Sequence, residues 1–392
     1  QAMLYIYSNM NKKRYQVTVM APSSPGAKSE EDFDGIKVKR FTYFYPKNLQ
    51  LLTSGEGILY TSRKNKILGR IQILTFLLAE LFAVTKTLMT EEFDVIHANW
   101  ILPQGFMAVV AKLLFRKPVI VTIHGTDIFA LNKLNFIKAL ILKYCDYCTA
   151  NSSATYEAAY KIYSSDKIRV VHMGTEIKYF DPKYRNKKWR NQFGKDPNII
   201  LGVGRLIKWK GFEYLIKAFP MVLAKFPESK LIIVGKGPEE ENLKRLAEKL
   251  ELKLNKNIFF PGHYTPEEFP TVYASSDLVV SPSITIPSTG EKEGMGNVAL
   301  EARASGTPVI ASRSGGLVDT IDGKTNGLLF EERNYKELAE KIIQIFSNKK
   351  VRNELSINGL KYVRENFPWR KTSQKFEELY EKLVSNNSFI TK

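Results

Sequence analysis

Two short segments in the second half of the chain carry residue types suited to binding a diphosphate and a sugar. The first is GVGR at 202–205, which ends a predicted β-strand and is followed by Lys210. Glycines such as Gly204 at a strand-to-helix turn let the backbone approach a ligand, and Arg205 with Lys210 can flank a diphosphate. The glycines alone are explained equally well by a structural turn, whereas the two cations together favour anion binding.

The second segment is EGMGNVALE at 293–301, in which Glu293 and Glu301 flank a glycine-rich turn and the start of a predicted helix. The turn would present backbone N–H groups and the positive end of the helix dipole to an anion. Glu301 points back towards that end and could accept hydrogen bonds from ribose hydroxyls, while Glu293 could hold sugar hydroxyls. For either glutamate alone, a solvated surface position is the simpler explanation.

Both segments lie in a pattern that predicts an α/β protein with two doubly wound, Rossmann-like domains. Short apolar runs alternate with helical stretches, as in parallel sheets covered by helices on both faces. The strands predicted for the first half are Gln16–Met20, Ile36–Phe41, Val95–Ala98, Val119–Thr122, Tyr147–Ala150 and Ile168–Val171. A polar stretch over 180–195 predicts a linker. We therefore expect domains at 1–182 and 183–372, and a final helix at 373–392 that packs back on the first domain.

The composition is that of a globular protein with more than one core. Of 392 residues, 44% are hydrophobic and 25% charged. A net charge of +18 favours anionic partners, whether nucleotide phosphates, acidic lipids or nucleic acid, without choosing among them. Only two cysteines occur, so no disulfide framework is expected and a cytoplasmic setting fits best.

Four blocks of the second half together resemble the family-4 retaining glycosyltransferases of the GT-B fold, in which two Rossmann-like domains face a central cleft. The blocks are GVGRLIKWKGFEYLIKAF, LIIVGKGPEEENLKRLA, FFPGHYTPEEFPTVYASSDLVVSPS and EKEGMGNVALEARASGTPVIASRSGGLVDTIDGKTNGLLF. They cover nearly the whole second domain in the family's order. The resemblance implies a hexosyltransferase that uses a UDP- or GDP-sugar donor.

The resemblance also implies roles for residues of the second domain. Gly204, Arg205 and Lys210 would bind the donor diphosphate, Glu293 would contact the transferred sugar as a catalytic residue, and Glu301 would bind the ribose. Backbone contacts to the donor would come from Gly294, Met295, Gly296, Asn297 and Val298. The residues expected on the side of the nucleotide base are Gly235, Gly237, Gly262, His263 and Tyr264.

The first half resembles the same family through DVIHANWILPQGF and KPVIVTIHGTDIF. The match implies that His124 reaches the donor sugar as the second catalytic residue, although a lone loop histidine more often has a structural role. Gly-Thr-Asp follows His124 where many members have Asp directly, which leaves the role of Asp127 open. The chain starts with a segment that in the family follows the first strand. We therefore expect that strand to precede Gln1, because its loss would leave neighbouring strands of the sheet with unpaired edges.

By resemblance, the transfer retains anomeric configuration. No metal or other cofactor is expected, because Arg205, Lys210 and the helix dipole near Gly296 would stabilise the departing diphosphate. The expected partners are the nucleotide-sugar donor and a glycan or lipid-linked acceptor. Two alternatives stay open: an epimerase of the same two-domain fold, and a nucleic-acid-binding protein attracted by the positive charge. The second lacks interleaved aromatic and basic residues and a base-reading helix, so no nucleic-acid partner is expected.

Two further motifs have simpler structural explanations. Asp32-Phe-Asp34 superficially resembles a metal-binding triplet, but it sits in an acidic loop before a predicted strand. Cys145 and Cys148 form a C-x-x-C motif that follows a helix and enters a strand, whereas a redox pair would open a helix. A zinc site would need two more ligands, and the chain has only four histidines.

The segment RKNKILGR, Arg63–Arg70, is basic without an acid and leads into the apolar stretch Ile67–Val84. Such a segment can meet anionic lipid on the cytoplasmic membrane face and present a lipid-linked acceptor there. A core helix with a solvated basic start explains it equally well. Arg70 and Glu80 interrupt the apolar stretch, so we do not expect it to cross a bilayer.

Overall fold

The computed structural model describes residues 2–24, 26–53 and 66–388, which form two α/β halves. The elements of the N-terminal half are α1 (Ala2–Ser8), β1 (Val17–Pro22), β2 (Glu30–Phe33), β3 (Ile36–Phe41), α2 (Lys66–Thr90), β4 (Ile96–Asn99), α3 (Phe106–Phe115), β5 (Val119–Ile123), α4 (Thr126–Phe129), α5 (Asn135–Tyr144), β6 (Tyr147–Ala150), α6 (Ser153–Ile162) and β7 (Ile168–Val170). Those that follow are α7 (Lys187–Asn191), β8 (Ile199–Val203), α8 (Phe212–Lys225), β9 (Lys230–Val234), α9 (Glu240–Lys249), β10 (Ile258–Gly262), α10 (Phe269–Ser275), β11 (Leu278–Ser281), α11 (Asn297–Ala304), β12 (Val309–Ser312), α12 (Leu317–Thr320), β13 (Leu328–Phe330), α13 (Tyr335–Ser347), α14 (Lys349–Asn366) and α15 (Trp369–Ser388).

The C-terminal half is built on a six-stranded parallel sheet of order β10-β9-β8-β11-β12-β13. Its strands are continuous apolar runs because helices cover both faces, and Ile200, Val279 and Ile310 are fully buried. The strand order reverses between β8 and β11. Ligands of open parallel sheets bind at the carboxyl ends of the strands beside such a reversal. The ends of β8 and β11 are therefore the expected place for a donor.

The described strands of the N-terminal half form two separate sheets. β4-β5-β6-β7 are parallel and follow the sequence order, whereas β3 pairs with β1 in parallel and with β2 in antiparallel orientation. A cleft of about 1910 Å³ lies between β1 and the stretch Asp94–Trp100 around β4.

The last helix, α15, follows the C-terminal half in sequence but packs on α1 of the N-terminal half. The Ser373 hydroxyl donates to the Ile6 carbonyl at 2.6 Å, and the Glu377 carboxylate accepts from the Asn11 backbone at 2.8 Å. The α15 helix therefore ties the two halves together.

Two stretches predicted as irregular are ordered. Residues Glu30–Phe33 form β2, so Asp32 lies in a strand rather than in the predicted loop. The predicted linker contains α7, whose buried Arg190 pairs with Asp277 at 2.9 Å. Polar composition misled the sequence analysis in both places, because these charged side chains are paired or point to solvent while the backbone is regular.

Helix α2 is fixed to its domain by the inner face. The Gln72 amide accepts from the Leu51 backbone at 3.0 Å and donates to the Leu49 carbonyl at 2.6 Å. The ring of Phe76 packs against the rings of Phe41 and Tyr43, with centroids 5.4 and 5.3 Å apart. These contacts hold α2 against the sheet of β1 and β3.

By length and composition alone, Ile67–Thr90 of α2 is long and apolar enough to cross a membrane, with a mean hydropathy of 1.8. Length and composition alone are weak evidence for a membrane span, and the expectation from Arg70 and Glu80 that α2 does not cross a bilayer stays a prediction. Packing gives the better argument, since Gln72 and Phe76 are buried against the domain.

Candidate active site

The first cationic turn lies at the carboxyl end of β8. The Gly204 N–H donates to the Val234 carbonyl of β9 at 3.0 Å, and a Cβ on Gly235 would collide with the Gly204 carbonyl. Glycine at these positions lets the ends of the two strands approach closely. Arg205 beside them is exposed and forms no ion pair with any residue that the structure describes, so its guanidinium is open to an anion.

Lys210 and Glu293 form an ion pair that is largely shielded from solvent, with Nζ and Oε2 2.7 Å apart. The same carboxylate oxygen accepts from the Ser283 hydroxyl at 2.9 Å. The Lys210 ammonium also lies 4.7 Å from the centre of the Trp209 ring. Two donors thus hold Glu293 in one orientation, and the Lys210 chain passes beside Gly204. Lys210, which is predicted to bind the diphosphate, and the predicted catalytic carboxylate of Glu293 are therefore direct neighbours.

The turn after Glu293 brings the two halves into contact. A Cβ on Gly294 would lie 2.5 Å from the His124 carbonyl oxygen, so the backbones of the two loops touch. The Asn151 side chain donates to the same carbonyl at 2.9 Å. Met295 is buried, with its sulfur 3.2 Å from the Met173 N–H. His124 and Glu293 therefore belong to adjacent loops, one from each half.

Helix α11 begins directly after this turn. Gly296 has a φ of 82° and is the last residue before the helix, which starts with Asn297 and Val298. The first N–H groups of a helix have no partner within it, and they carry the positive end of its dipole. The N-terminus of α11 is thus presented beside Glu293, as the sequence predicts.

Asp127 holds the backbone of the histidine loop. Its Oδ1 accepts from the N–H groups of His124 and Gly125 at 3.0 and 2.9 Å, and its Oδ2 accepts from the Ile101 N–H at 3.0 Å. The His124 Nε2 lies 3.3 Å from the Asn99 Oδ1. Burial lowers the pKa of His124, an effect that the Asp127 charge opposes, so the imidazole is neutral at pH 7. Asp127, whose role the sequence leaves open, therefore positions the backbone of the histidine loop.

Glu301 lies on α11 and accepts from the Tyr273 hydroxyl at 2.8 Å. Burial raises the pKa of the Glu301 carboxyl to about 7, against the lowering effects of the Tyr273 hydrogen bond and the Lys210 charge. The group therefore changes between neutral and ionised forms near neutral pH. Only the ionised form offers both oxygens as acceptors to ribose hydroxyls.

The residues predicted on the base side lie at the ends of β9 and β10. The Gly235 N–H donates to the Gly262 carbonyl at 2.7 Å, and Gly237 packs against the backbone of Leu206. His263 is exposed and Tyr264 is half-buried. Close backbone packing therefore explains why glycine stands at these positions, and the contact of these residues with a nucleotide base stays a prediction.

Sequence reasoning missed the residues that support the site. Ser283 and Asn99 could have been found, because each is a polar residue just after the end of a predicted strand. Asn151 could have been found in the same way, because it directly follows β6. Tyr273 gives no such signal, since its partner Glu301 is distant in sequence.

The two other motifs lie outside this site. Cys145 and Cys148 are buried free thiols, and burial raises the pKa of the Cys145 thiol to about 12. Asp34 pairs with Lys12 at 2.6 Å. Within the described residues no group of three His, Cys, Asp or Glu side chains could hold a metal ion.

Comparison with known families and curated proteins gives the same result for both halves. Residues 183–362 match the family model described as glycosyl transferases group 1, and residues 2–179 match the one described as glycosyltransferase family 4. An uncharacterized glycosyltransferase of Methanocaldococcus jannaschii is 30% identical over 289 residues, which are 70% of this chain and 71% of that protein. A GDP-mannose-dependent monoacylated alpha-(1-6)-phosphatidylinositol monomannoside mannosyltransferase of Corynebacterium glutamicum is 28% identical over 300 residues, 73% of this chain and 76% of that enzyme.

Solved structures confirm the fold. Anabaena HepE, crystallised with UDP and glucose, superposes with a TM-score of 0.74 at 21% identity, over 97% of this chain and 95% of that one. A sucrose-phosphate synthase of Thermosynechococcus elongatus gives a TM-score of 0.75 at 23% identity, over 98% and 93% of the two chains. The predicted GT-B fold is therefore confirmed.

The contact between Gly294 and His124 predicts that Gly294→Ala separates the two loops. The added methyl group would clash with the His124 carbonyl, and a displacement of about 1 Å can cost about a hundredfold in rate. We expect kcat to fall by about that factor. The exposed Ser288→Ala in the same loop is the control. Equal rates for Gly294→Ala and wild type would contradict the contact.

The three hydrogen bonds of Asp127 predict that Asp127→Ala disorders the histidine loop. Three backbone N–H groups would lose their acceptor, at a cost of about 1–3 kcal/mol for each buried group left unsatisfied. Turnover and thermal unfolding are both measured, and both should fall. The exposed Asp166, replaced by Asn, is the control. A variant with lower stability but normal kcat would mean that the loop position does not matter for turnover.

The raised pKa of Glu301 predicts that the KM for the donor rises as the pH falls below about 7, because the carboxylate is then protonated. Tyr273→Phe removes a hydrogen bond that lowers this pKa, so the rise in KM should begin at higher pH. Initial rates across neutral pH test this, with the exposed Tyr160→Phe as control. A KM that is flat with pH would show that Glu301 does not bind the donor in its ionised form.

Proposed function

The chain belongs to the group 1 glycosyltransferases of family 4, and on that basis we propose that it moves a hexose from a nucleoside-diphosphate sugar to a glycan or lipid-linked acceptor, with retention of configuration. The observation that carries the proposal is the Lys210–Glu293 pair, which lies beside the N-terminus of α11 and next to the His124 loop. The cation, the carboxylate and the helix N-terminus adjoin the loop that carries His124.

The donor diphosphate would bind between Arg205, Lys210 and the first N–H groups of α11. Arg205 is exposed and Lys210 already faces this space, so neither needs a large movement. Positive groups aimed at the leaving diphosphate stabilise charge as it develops, which is the usual work of a metal ion in such a reaction. We therefore propose that transfer needs no metal.

The transferred sugar would lie between Glu293 and His124. Glu293 is held by Ser283 and Lys210, and the neutral His124 imidazole can donate or accept at the sugar hydroxyls. The acceptor hydroxyl then attacks from the side on which the diphosphate leaves, which retains configuration. Family membership favours glycosyl transfer over both open alternatives, epimerisation and nucleic-acid binding.

The base and the sugar of the donor differ among the relatives. HepE was crystallised with UDP and glucose, while the Corynebacterium relative is GDP-mannose-dependent. We keep both UDP- and GDP-hexoses as candidate donors, with the base held near Gly262, His263 and Tyr264.

A lipid-linked acceptor would place the enzyme at the cytoplasmic face of a membrane. The predicted basic segment Arg63–Arg70 supports this only in part, because Arg63, Lys64 and Asn65 lie outside the described residues. Arg70 is exposed on α2.

Hydrolysis and transfer with a panel of UDP- and GDP-sugars test the proposal. Glu293→Ala and Glu293→Gln should each lower kcat by about a hundredfold, a typical loss when one group that stabilises the transition state is removed. The exposed Glu354→Ala of α14 is the matched control, and a chelator should leave the wild-type rate unchanged. A donor converted to another sugar without an acceptor would instead support the epimerase. No cleavage of any donor by the full-length protein would overturn the proposal.

A further inference from the structure

The outer face of α2 is apolar and exposed. Six large hydrophobic side chains follow one another at helical spacing along it: Ile67, Ile71, Leu74, Leu78, Phe82 and Met89, which are 48–79% exposed. The inner face of the same helix is packed on the domain. Isolated exposed hydrophobic residues are ordinary, but a continuous stripe of this length marks an interaction surface.

The stripe continues over the two neighbouring helices. Helix α3 packs beside α2, and α5 packs beside α3, so the three lie in one layer. Their exposed apolar residues are Phe106, Leu113 and Leu114 on α3, and Phe136, Leu140 and Tyr144 on α5. We name the exposed residues of these three helices the three-helix face. It holds most of the exposed large hydrophobic side chains in the described part of the N-terminal half.

The exposed charges on the three-helix face have one sign. Arg70, Lys86 and Lys143 are exposed, whereas Glu80, the one acid in these helices, is buried. Just beyond the helix ends Glu91 pairs with Lys39, and Asp146 pairs with Lys112 at 2.6 Å, whereas Glu92 and Asp94 are exposed and form no ion pair with any residue that the structure describes. The surface therefore combines apolar area with basic groups that no exposed acid on the same helices balances.

A second copy of the chain fits this face poorly. In a two-fold dimer each copy would present the same patch, so Arg70, Lys86 and Lys143 would meet their own equivalents or one another. An anionic bilayer offers what the face lacks, namely negative headgroups around an apolar interior. The helices would lie in the interface rather than cross it, because the inner contacts of Gln72 and Phe76 fix α2 to the domain.

We propose that the three-helix face docks on an anionic lipid bilayer, with its apolar side chains in the acyl boundary and Arg70, Lys86 and Lys143 at the headgroup phosphates. The inner side of α2 lines the cleft that His124 also lines, through Phe76 and Glu80. Docking would therefore set the cleft next to the membrane surface. This inference deepens the proposed function, since it rests on transfer to a lipid-linked acceptor for its purpose, but binding itself can be measured without turnover.

Co-sedimentation of the full-length protein with phosphatidylcholine vesicles, with and without phosphatidylglycerol, tests the docking. Wild type should sediment with the anionic vesicles and be released by salt. Leu74→Glu with Leu78→Glu should weaken this binding by roughly tenfold or more, because charged groups oppose insertion. These side chains are about 60% exposed, so the fold should tolerate the change. Ile357→Glu on α14, 65% exposed in the other half, is the matched control and should bind like wild type.

A fluorophore that senses its environment gives a second readout. It is attached at Leu78→Cys, or at Ile357→Cys as control, and the buried native thiols of Cys145 and Cys148 do not compete for the label. Its emission should shift to the blue with anionic vesicles at Leu78→Cys alone. No binding at low salt, or equal binding by the double glutamate variant, would overturn the docking. So would a wild-type dimer, seen by sedimentation equilibrium, that the double variant dissolves. Donor hydrolysis distinguishes the two kinds of failure. If the double variant has lost only docking, it still hydrolyses the donor. If the proposed function is wrong, neither the wild type nor the double variant hydrolyses any donor.

Discussion

The candidate site depends on one close approach of two backbones, between Gly294 of the C-terminal half and the His124 carbonyl of the N-terminal half. No residue with a Cβ fits there, because that atom would lie 2.5 Å from the carbonyl oxygen. The approach puts Glu293 and His124 on adjacent loops and presents the N-terminus of α11 beside Glu293. Asp127 and Asn151 secure the N-terminal side of the contact by hydrogen bonds to the histidine loop.

Within that frame, Lys210 serves two partners. Its ammonium now pairs with Glu293, and the side chain passes the loop of Gly204, where a diphosphate would lie. Forming a shielded ion pair requires a costly dehydration of both charged groups. Removing one partner strongly destabilises the protein, because the other charge then stays buried without a partner. The binding of a diphosphate would give Lys210 a second negative neighbour and leave Glu293 with the Ser283 hydroxyl and the sugar. In the proposed binding mode, donor binding would therefore be coupled to the orientation of Glu293.

The sequence predicts those parts of the site that are local. The turns after β8 and before α11 can be predicted because glycine, cation and helix start are contiguous. The Lys210–Glu293 pair and the Tyr273–Glu301 hydrogen bond cannot, because only the order of strands in the sheet brings these residues together. The β2 strand was missed because its acidic residues lack an apolar period, and antiparallel pairing with β3 decides its conformation instead.

Helix α2 shows why an apolar segment is ambiguous in sequence. It is hydrophobic on more than one side, which usually indicates a helix buried all round or one that spans a bilayer. The structure fits neither, since Phe76 and Gln72 face the domain while Leu74 and Leu78 face outward. Both faces are apolar because each has its own apolar neighbour, the protein on one side and, as we propose, lipid on the other. The buried Glu80 lies on the protein side, which explains why a charge in the middle of the stretch does not interrupt the outer stripe.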